Sequence, residues 1–265
     1  MLLLSEQGLG DQILFLSMLS ELLSKNSNLD VVIDHRLMPV FERTFPEVNF
    51  ISNQSSFNIN NYKNRLLIGS LGFVFRQEFY DFKKHPYSYL RSDETLKKYL
   101  REKIEHESNS NLICGIAWKS KNEYFGDKKS LQLENLLPIL SQKNITFINL
   151  QYGVTQDEID SIKSKYNIEI MNINEIDTFN NIDGLFSLID ACDLVITTSN
   201  VTAHMAGALG KKTFLMVPYL IGKMWYWHED DMQSIWYPSI TIFRQQTLLD
   251  WNDPIYKISE LVKSY

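Results

Sequence analysis

The sequence predicts an α/β protein: two Rossmann-like domains with parallel sheets that face each other across a cleft. Three observations predict it. Short apolar runs alternate with helical patterns along the chain. The alternation breaks at a polar, turn-forming stretch, "ESNSN" at 107–111, and then restarts. A length of 265 residues, at about 150 per domain, makes roughly two domains. Strands that alternate with helices build parallel sheets covered on both faces.

The first set begins with a strand over residues 1–5 and a helix over 11–25. Ile13, Leu14, Leu16, Met18, Leu19, Leu22 and Leu23 give that helix a broad apolar face. "VVIDH" (31–35) is a second strand, followed by a short helix through Phe41. "VNFIS" (48–52) and "RLLIGS" (65–70) are the third and fourth, with a helical stretch through Phe82 and a charged helix at 93–106. The second set has strands at "LICGIAW" (112–118), "ITFINLQ" (145–151), "IEIMN" (168–172), "DLVITTS" (193–199), "KTFLMVP" (212–218) and "ITIFRQ" (240–245). Helices are expected at 133–140 and 155–166, the latter opened by a capping box from Thr155 to Glu158. The domains are therefore 1–108 and 109–265.

Composition narrows the function. A net charge of −6 lacks the basic excess of a nucleic-acid surface. Cys114 and Cys192 lie in apolar runs, as buried reduced thiols do. The histidines at 35, 85, 106, 204 and 228 show no ligand spacing, so no structural metal is expected. "MLLL" lacks the basic flank of a secretory signal, and no apolar run reaches the ~18 residues of a membrane span. The expectation is a cytoplasmic protein without a transmembrane segment, with peripheral attachment at the inner membrane left open.

Ligands of such sheets sit outside the carboxyl ends of strands, where loops enter helices. Three loops qualify. In "SEQGLGDQILFLSML", Gly8 and Gly10 allow a tight turn and close approach, and Asp11 lies in the first turn of the helix. An acid there also stabilises the positive end of the helix by about 1 kcal/mol, which alone explains its presence. GxGxxG is not met, since Ile13 stands where the third glycine belongs.

In "TTSNVTAHMAGALGKK", Ser199, Asn200 and Thr202 sit at a strand-to-helix turn, the setting of an anion site, with His204 placed to donate to a phosphate. Ordinary capping by Ser199 or Asn200, with His204 a partly buried polar residue, explains the turn equally well. "AWKSKNEYFGDKKS" carries Lys119, Lys121, Lys128 and Lys129. Lys119 is closest to the strand end and is the preferred phosphate ligand; the others fit a solvated loop. The aromatic run at 224–239 suits either stacking on a base or sugar, or core plus a rigid loop.

These loops, with "RLMPVFERTFPEV", "IGSLGFVFR", "GIAWKS", "INLQYG" and "WYPSITIFRQ", resemble in order the glycosyltransferase-like domain found after tetratricopeptide repeats in bacterial proteins. More distantly they resemble the lipopolysaccharide heptosyltransferases. The resemblance implies a GT-B fold with an acceptor-side first domain and a nucleotide-sugar second domain. It implies that the final helix, about 254–262, packs back on the first domain. It also implies Asp11 as general base, with donor contacts at Lys119, Gln151, Ser199, Asn200, Thr202 and His204. Heptosyltransferases carry Asp-Thr-Gly where this chain has Ser199, Asn200 and Val201, which speaks against ADP-heptose as donor.

The expected function is a metal-independent, inverting, hexosyl- or heptosyltransferase-like enzyme with no cofactor beyond its nucleotide-diphosphate sugar. Its acceptor would be a glycan, a lipid-linked molecule or a protein, with a tetratricopeptide-repeat protein as a further partner. The rival is a non-catalytic module of the same fold that recognises a glycan or a partner protein.

Overall fold

A computed structural model describes residues 1–25, 28–84, 86–108, 110, 112–228 and 232–265. His85 and part of the polar stretch at 107–111 (Asn109 and Asn111) lie outside them, as do Glu229, Asp230 and Asp231 of the aromatic run. The first half contains β1 (Leu2–Leu4), α1 (Leu9–Leu16), α2 (Leu19–Leu23), β2 (Asp30–Ile33), α3 (Met38–Thr44), β3 (Asn49–Ser52), β4 (Arg65–Leu67) and α4 (Leu71–Phe75). Its four strands are all parallel, in the order β3-β2-β1-β4.

A long helix, α5 (Glu94–Glu107), leads into the second half. There follow β5 (Leu112–Ala117), α6 (Gly126–Lys129), α7 (Leu137–Leu140), β6 (Ile145–Asn149), α8 (Gln156–Tyr166), β7 (Ile170–Met171), α9 (Ile182–Ala191), β8 (Leu194–Thr198), α10 (Val201–Ala208), β9 (Thr213–Val217), β10 (Ile240–Arg244) and α11 (Asn252–Val262). The six strands are parallel, in the order β10-β9-β8-β5-β6-β7. In each sheet the order turns back beside the first strand, β1 or β5, and such a reversal opens a crevice at the strand ends.

The central strands are apolar on both faces because helices cover both. All of β8 and β9 is buried. Helix α9 has no counterpart in the predicted elements. Eight of its ten residues are buried, and its polar stripe, Asp183, Ser187 and Asp190, is turned on Arg43, Asp93 and Ser92 instead of on solvent. The two halves touch directly. Helix α1 packs on α10, and α5 packs on α9. Arg43 makes a two-pronged bond to Asp183 at 2.9 and 2.7 Å, and Arg101 pairs with Asp193 at 2.7 Å. Although α5 precedes the polar break, it is fastened to the second half.

Two local expectations need correction. Helix α11 packs against α7 and β10, and Ile255, Ile258 and Val262 join the apolar cluster of the second sheet. It therefore does not return to the first half; its apolar stripe is used on the sheet it follows. The Thr155–Glu158 capping box does not form either. Asn149 Nδ2 donates to the Thr155 hydroxyl at 3.2 Å, and Glu158 turns outward to accept from Trp118 Nε1 at 3.0 Å and to pair with Lys119. A charged partner outcompetes a backbone amide for that carboxylate.

Candidate functional site

Two helix N-termini open on one cleft of about 570 Å³ between the halves. The first is that of α1. Gln7 sits at φ 64°, in the left-handed region, and Gly8 follows as N-cap. This sharp entry aims the first turn of α1 at the cleft, with Gly8, Gly10 and Asp11 in its wall. One carboxylate oxygen of Asp11 accepts the Gly8 N–H at 3.2 Å. Burial raises the Asp11 pKa above its ordinary value, the Gly8 bond and the charge of Lys129 oppose the rise, and Glu6 adds to it. The group is thus a stronger base than a free Asp.

The second N-terminus is that of α10. Asn200 is its N-cap, and the side chain is fully engaged: Oδ1 accepts from Ala203 N–H at 3.4 Å and from the Thr197 hydroxyl, while Nδ2 donates to the Lys119 carbonyl at 3.1 Å. The Ser199 hydroxyl accepts from Trp227 Nε1 at 2.9 Å. Ser199, Asn200 and His204 line the cleft; the buried Thr202 hydroxyl does not reach it.

His204 is boxed by Tyr226, Trp227 and Tyr237, with ring centroids 5.1, 5.2 and 5.7 Å away. Burial, assisted by the charge of Lys129, pushes its pKa down to about 3, so the ring is neutral. This part of the aromatic run is core, and Trp225 alone of the Trp225–Trp227 turn is exposed. The ring of His204 reaches across to Gly10. A Cβ at Gly10 would lie 2.7 Å from His204 Cδ2, so only glycine lets α1 and α10 meet here.

The cations divide sharply. Lys119 pairs with Glu158 and lines a neighbouring hollow together with Gln151. Gln151 is itself occupied: Oε1 accepts from the backbone amides of Trp118 and Lys119 at 2.9 and 2.7 Å, and Nε2 donates to the Tyr152 carbonyl at 3.1 Å. Ten residues further on, Lys129 is only 4% exposed and stands in the cleft wall with Asp11. Burial lowers its pKa and the charge of Asp11 resists the fall. Among the described residues it has no carboxylate within ion-pair distance.

Lys129 reaches the cleft because the loop doubles back. Asn122 accepts from the amides of Tyr124 and Phe125, and Gly126 fits where a Cβ would be 2.5 Å from the Ser120 carbonyl. Lys121 and Arg36 also line the cleft, each over the Phe179 ring, 5.5 and 5.6 Å from its centroid. The structure thus brings Gly8, Gly10, Asp11, Ser199, Asn200 and His204 together, and leaves the Lys119 ammonium, Gln151 and Thr202 outside. Lys129 is the addition. Its only signal in the sequence is a glycine shortly before a pair of lysines. Among the described residues no three His, Cys, Asp or Glu side chains cluster as metal ligands, and no helix is long and apolar enough to cross a membrane.

No model of a known protein family matches the chain. Protein FlbA of Caulobacter vibrioides is 26% identical over 282 residues; the match takes in all of this chain and 46% of FlbA, so the chain spans about half that protein's length. Among solved structures, the glycosyl transferase family 9 protein of Veillonella parvula superposes with a TM-score of 0.62 at 12% identity, covering 99% of this chain and 95% of that one. The ADP-heptose lps heptosyltransferase II of E. coli gives 0.59 at 14%, covering 99% and 98%. E. coli heptosyltransferase WaaC with ADP-2-deoxy-2-fluoro heptose gives 0.55 at 9%, covering 100% and 99%. At such low identity these likenesses speak for architecture, and with the two parallel sheets across a cleft they show that the chain has the GT-B glycosyltransferase fold.

Proposed function

We infer that the cleft holds a nucleotide-diphosphate sugar and transfers its sugar to an acceptor hydroxyl with inversion. The observation that carries this reading is the meeting of an elevated carboxylate, Asp11, and an uncommitted buried ammonium, Lys129, on one cleft at two helix N-termini. Asp11 takes the proton of the acceptor hydroxyl as its oxygen attacks the anomeric carbon. The leaving diphosphate gathers charge on the far side of that carbon. Lys129 and the first-turn amides of α10 neutralise it, which gives a metal-independent route. Lys119 acts through its backbone, tying the Asn200 cap to β5.

Transfer to a glycan, a lipid-linked molecule or a protein fits this chemistry equally. The chain matches 46% of FlbA, and in this reading it is the transferase portion of a longer protein; a tetratricopeptide-repeat partner and a membrane surface belong to the same proposal.

A panel of nucleoside diphosphates and nucleotide sugars, read by thermal shift, tests the reading. A ligand at 100 times its Kd adds about 2.7 kcal/mol of stability. The expected result is a shift with diphosphates, none with nucleosides, and release of nucleoside diphosphate on turnover. Equal shifts for nucleoside and diphosphate would overturn it. One observation favours a non-catalytic binding module: Asp11 already accepts the Gly8 amide, as a capping acid does. Binding without turnover, unchanged in Asp11→Asn, would select that reading.

A further inference from the structure

The fold divides the aromatic run at 224–239. Tyr226, Trp227, Trp236 and Tyr237 go to the core, while Trp225 is left 61% exposed. Three rings hold that indole. Phe15 lies nearly parallel to it, with 19° between the planes and 6.5 Å between centroids. Tyr226 and Trp236 meet it edge-on at 5.5 and 6.0 Å. All three supporting rings are buried. Single apolar side chains scattered on a surface are ordinary. A large ring pinned by three core rings and left uncovered is a preformed contact, with little side-chain freedom to lose when a ligand settles on it.

Helix α1 sets its place. Phe15 follows Asp11 by four residues, so the two share one face of the helix, one turn of about 5.4 Å apart. Asp11 stands in the cleft wall, and Met224 and Tyr226, the sequence neighbours of Trp225, line the same cleft. Trp225 thus marks the margin of the cleft beside the helix that carries the base.

A second carboxylate lies close by. Glu6 Oε1 accepts the Gly69 N–H at 3.0 Å. A Cβ at Gly69 would lie against both that oxygen and the Phe15 ring, so carboxylate and ring meet there. Among the described residues Oε2 of Glu6 receives no hydrogen bond.

An uncovered indole between carboxylates selects among acceptors. A pyranose has C–H groups on one face and hydroxyls around its rim. The indole takes the first through its electron-rich face. Ionised carboxylates take the second, since they only accept. An acyl chain has no proton to give them and would strip them of water at a cost. Resting on the reading of the cleft as a sugar-transfer site, we propose that the acceptor is a glycan and that one of its sugar rings stacks on Trp225, with Glu6 accepting from the ring's hydroxyls and the attacking hydroxyl delivered to Asp11. The acceptor enters along α1, and the indole fixes its tilt before the proton leaves.

Maltose, lactose and N,N′-diacetylchitobiose at millimolar concentration are the probes, read by saturation-transfer difference spectra of the whole protein. At least one of them should show transfer to one face of a pyranose ring. Trp225→Ala should weaken that disaccharide about tenfold, and Trp225→Phe, which keeps a ring, should recover most of the loss. Glu6→Gln, whose amide oxygen still accepts the Gly69 N–H, should weaken it about fivefold. Thermal shifts with UDP and ADP should be the same in Trp225→Ala as in the wild type.

No transfer to any of the three sugars, or equal affinity in Trp225→Ala, overturns the proposal and leaves the cleft reading standing. Phosphatidylcholine–phosphatidylglycerol vesicles that bind the wild type and not Trp225→Ala also overturn it, for the indole would then be a membrane anchor. The cleft reading fails separately, by the absence of a shift with every diphosphate of the panel. A disaccharide that binds in that case overturns the acceptor role and makes Trp225 the glycan contact of a non-catalytic module.

Discussion

The turns after β1 and after β8 share one plan: a parallel strand, a few small residues and a helix whose N-terminus opens on the cleft. They differ in what is left over. After β8 the side chains are consumed by the fold: Ser199 by Trp227, Asn200 by three partners, and His204 Nδ1 by Tyr237. After β1, Glu6 accepts the Gly69 amide at 3.0 Å, but Asp11 spends only one bond, on the Gly8 amide, and its carboxylate stays in the cleft wall. The second turn is a seat, while the first carries a group with chemistry to spare. Changes at the first should therefore act on rate, and changes at the second on stability and ligand placement.

The largest expected effect tests the first turn. Asp11→Asn should lower turnover by about 10²–10⁴-fold, with donor affinity nearly intact. Its thermal midpoint should barely move, because an amide oxygen still accepts the Gly8 N–H. A variant of undiminished turnover would reduce Asp11 to a cap.

The two lysines of the β5 loop come next. Lys129→Ala should weaken nucleoside-diphosphate binding by about 1.5–3 kcal/mol in calorimetry, the worth of a charge-assisted bond. Lys119→Ala, which loses a part-exposed ion pair, should change it by less than about 1 kcal/mol. The reverse ranking would move the phosphate site to the neighbouring hollow.

The seam between the turns is sharpened by Gly10→Ala. The added methyl meets the His204 ring at 2.7 Å, and overpacking of this kind costs about 1–3 kcal/mol, to be read from denaturant midpoints. A stability equal to wild type would show that the helices part without penalty.

The smallest effect is a slope. The His204 pKa is depressed from 6.5 to about 3 in the folded protein. Unfolded chains therefore bind a proton below pH 6.5 that the native protein refuses. The stability it contributes is fully present above pH 6.5 and is lost as pH falls toward 3, by at most about 1.4 kcal/mol per pH unit. Denaturant midpoints between pH 7 and 5 should fall for wild type and fall less for His204→Phe. Parallel slopes would place the imidazole in contact with solvent.

The strands were legible because a buried parallel strand is an apolar run bounded by turn residues, as "LICGIA" and "DLVITT" are. Helix α9 was not, since "IDGLFSLIDA" is apolar around most of its circumference and merges with the strand that follows. In the site, the two glycine- and hydroxyl-bearing turns could be read as local patterns. That Lys129 and not Lys119 lines the cleft could not, since it depends on a loop folding back on itself and on Glu158 from a different helix pairing with Lys119. Proximity in sequence to a strand end is a poor guide where a loop is long enough to return.

The contact of Gly10 with His204, backed by the Arg43–Asp183 and Arg101–Asp193 bonds, has a kinetic consequence. The walls of the cleft are apposed before any ligand arrives, so the ordering they need is accomplished during folding. Capture of a nucleotide should then be a one-step encounter, its observed rate rising linearly with concentration at about 10⁵–10⁷ M⁻¹s⁻¹ without a plateau. Residence time would then set affinity, governed by how readily the ligand slips back out between two helices already in contact.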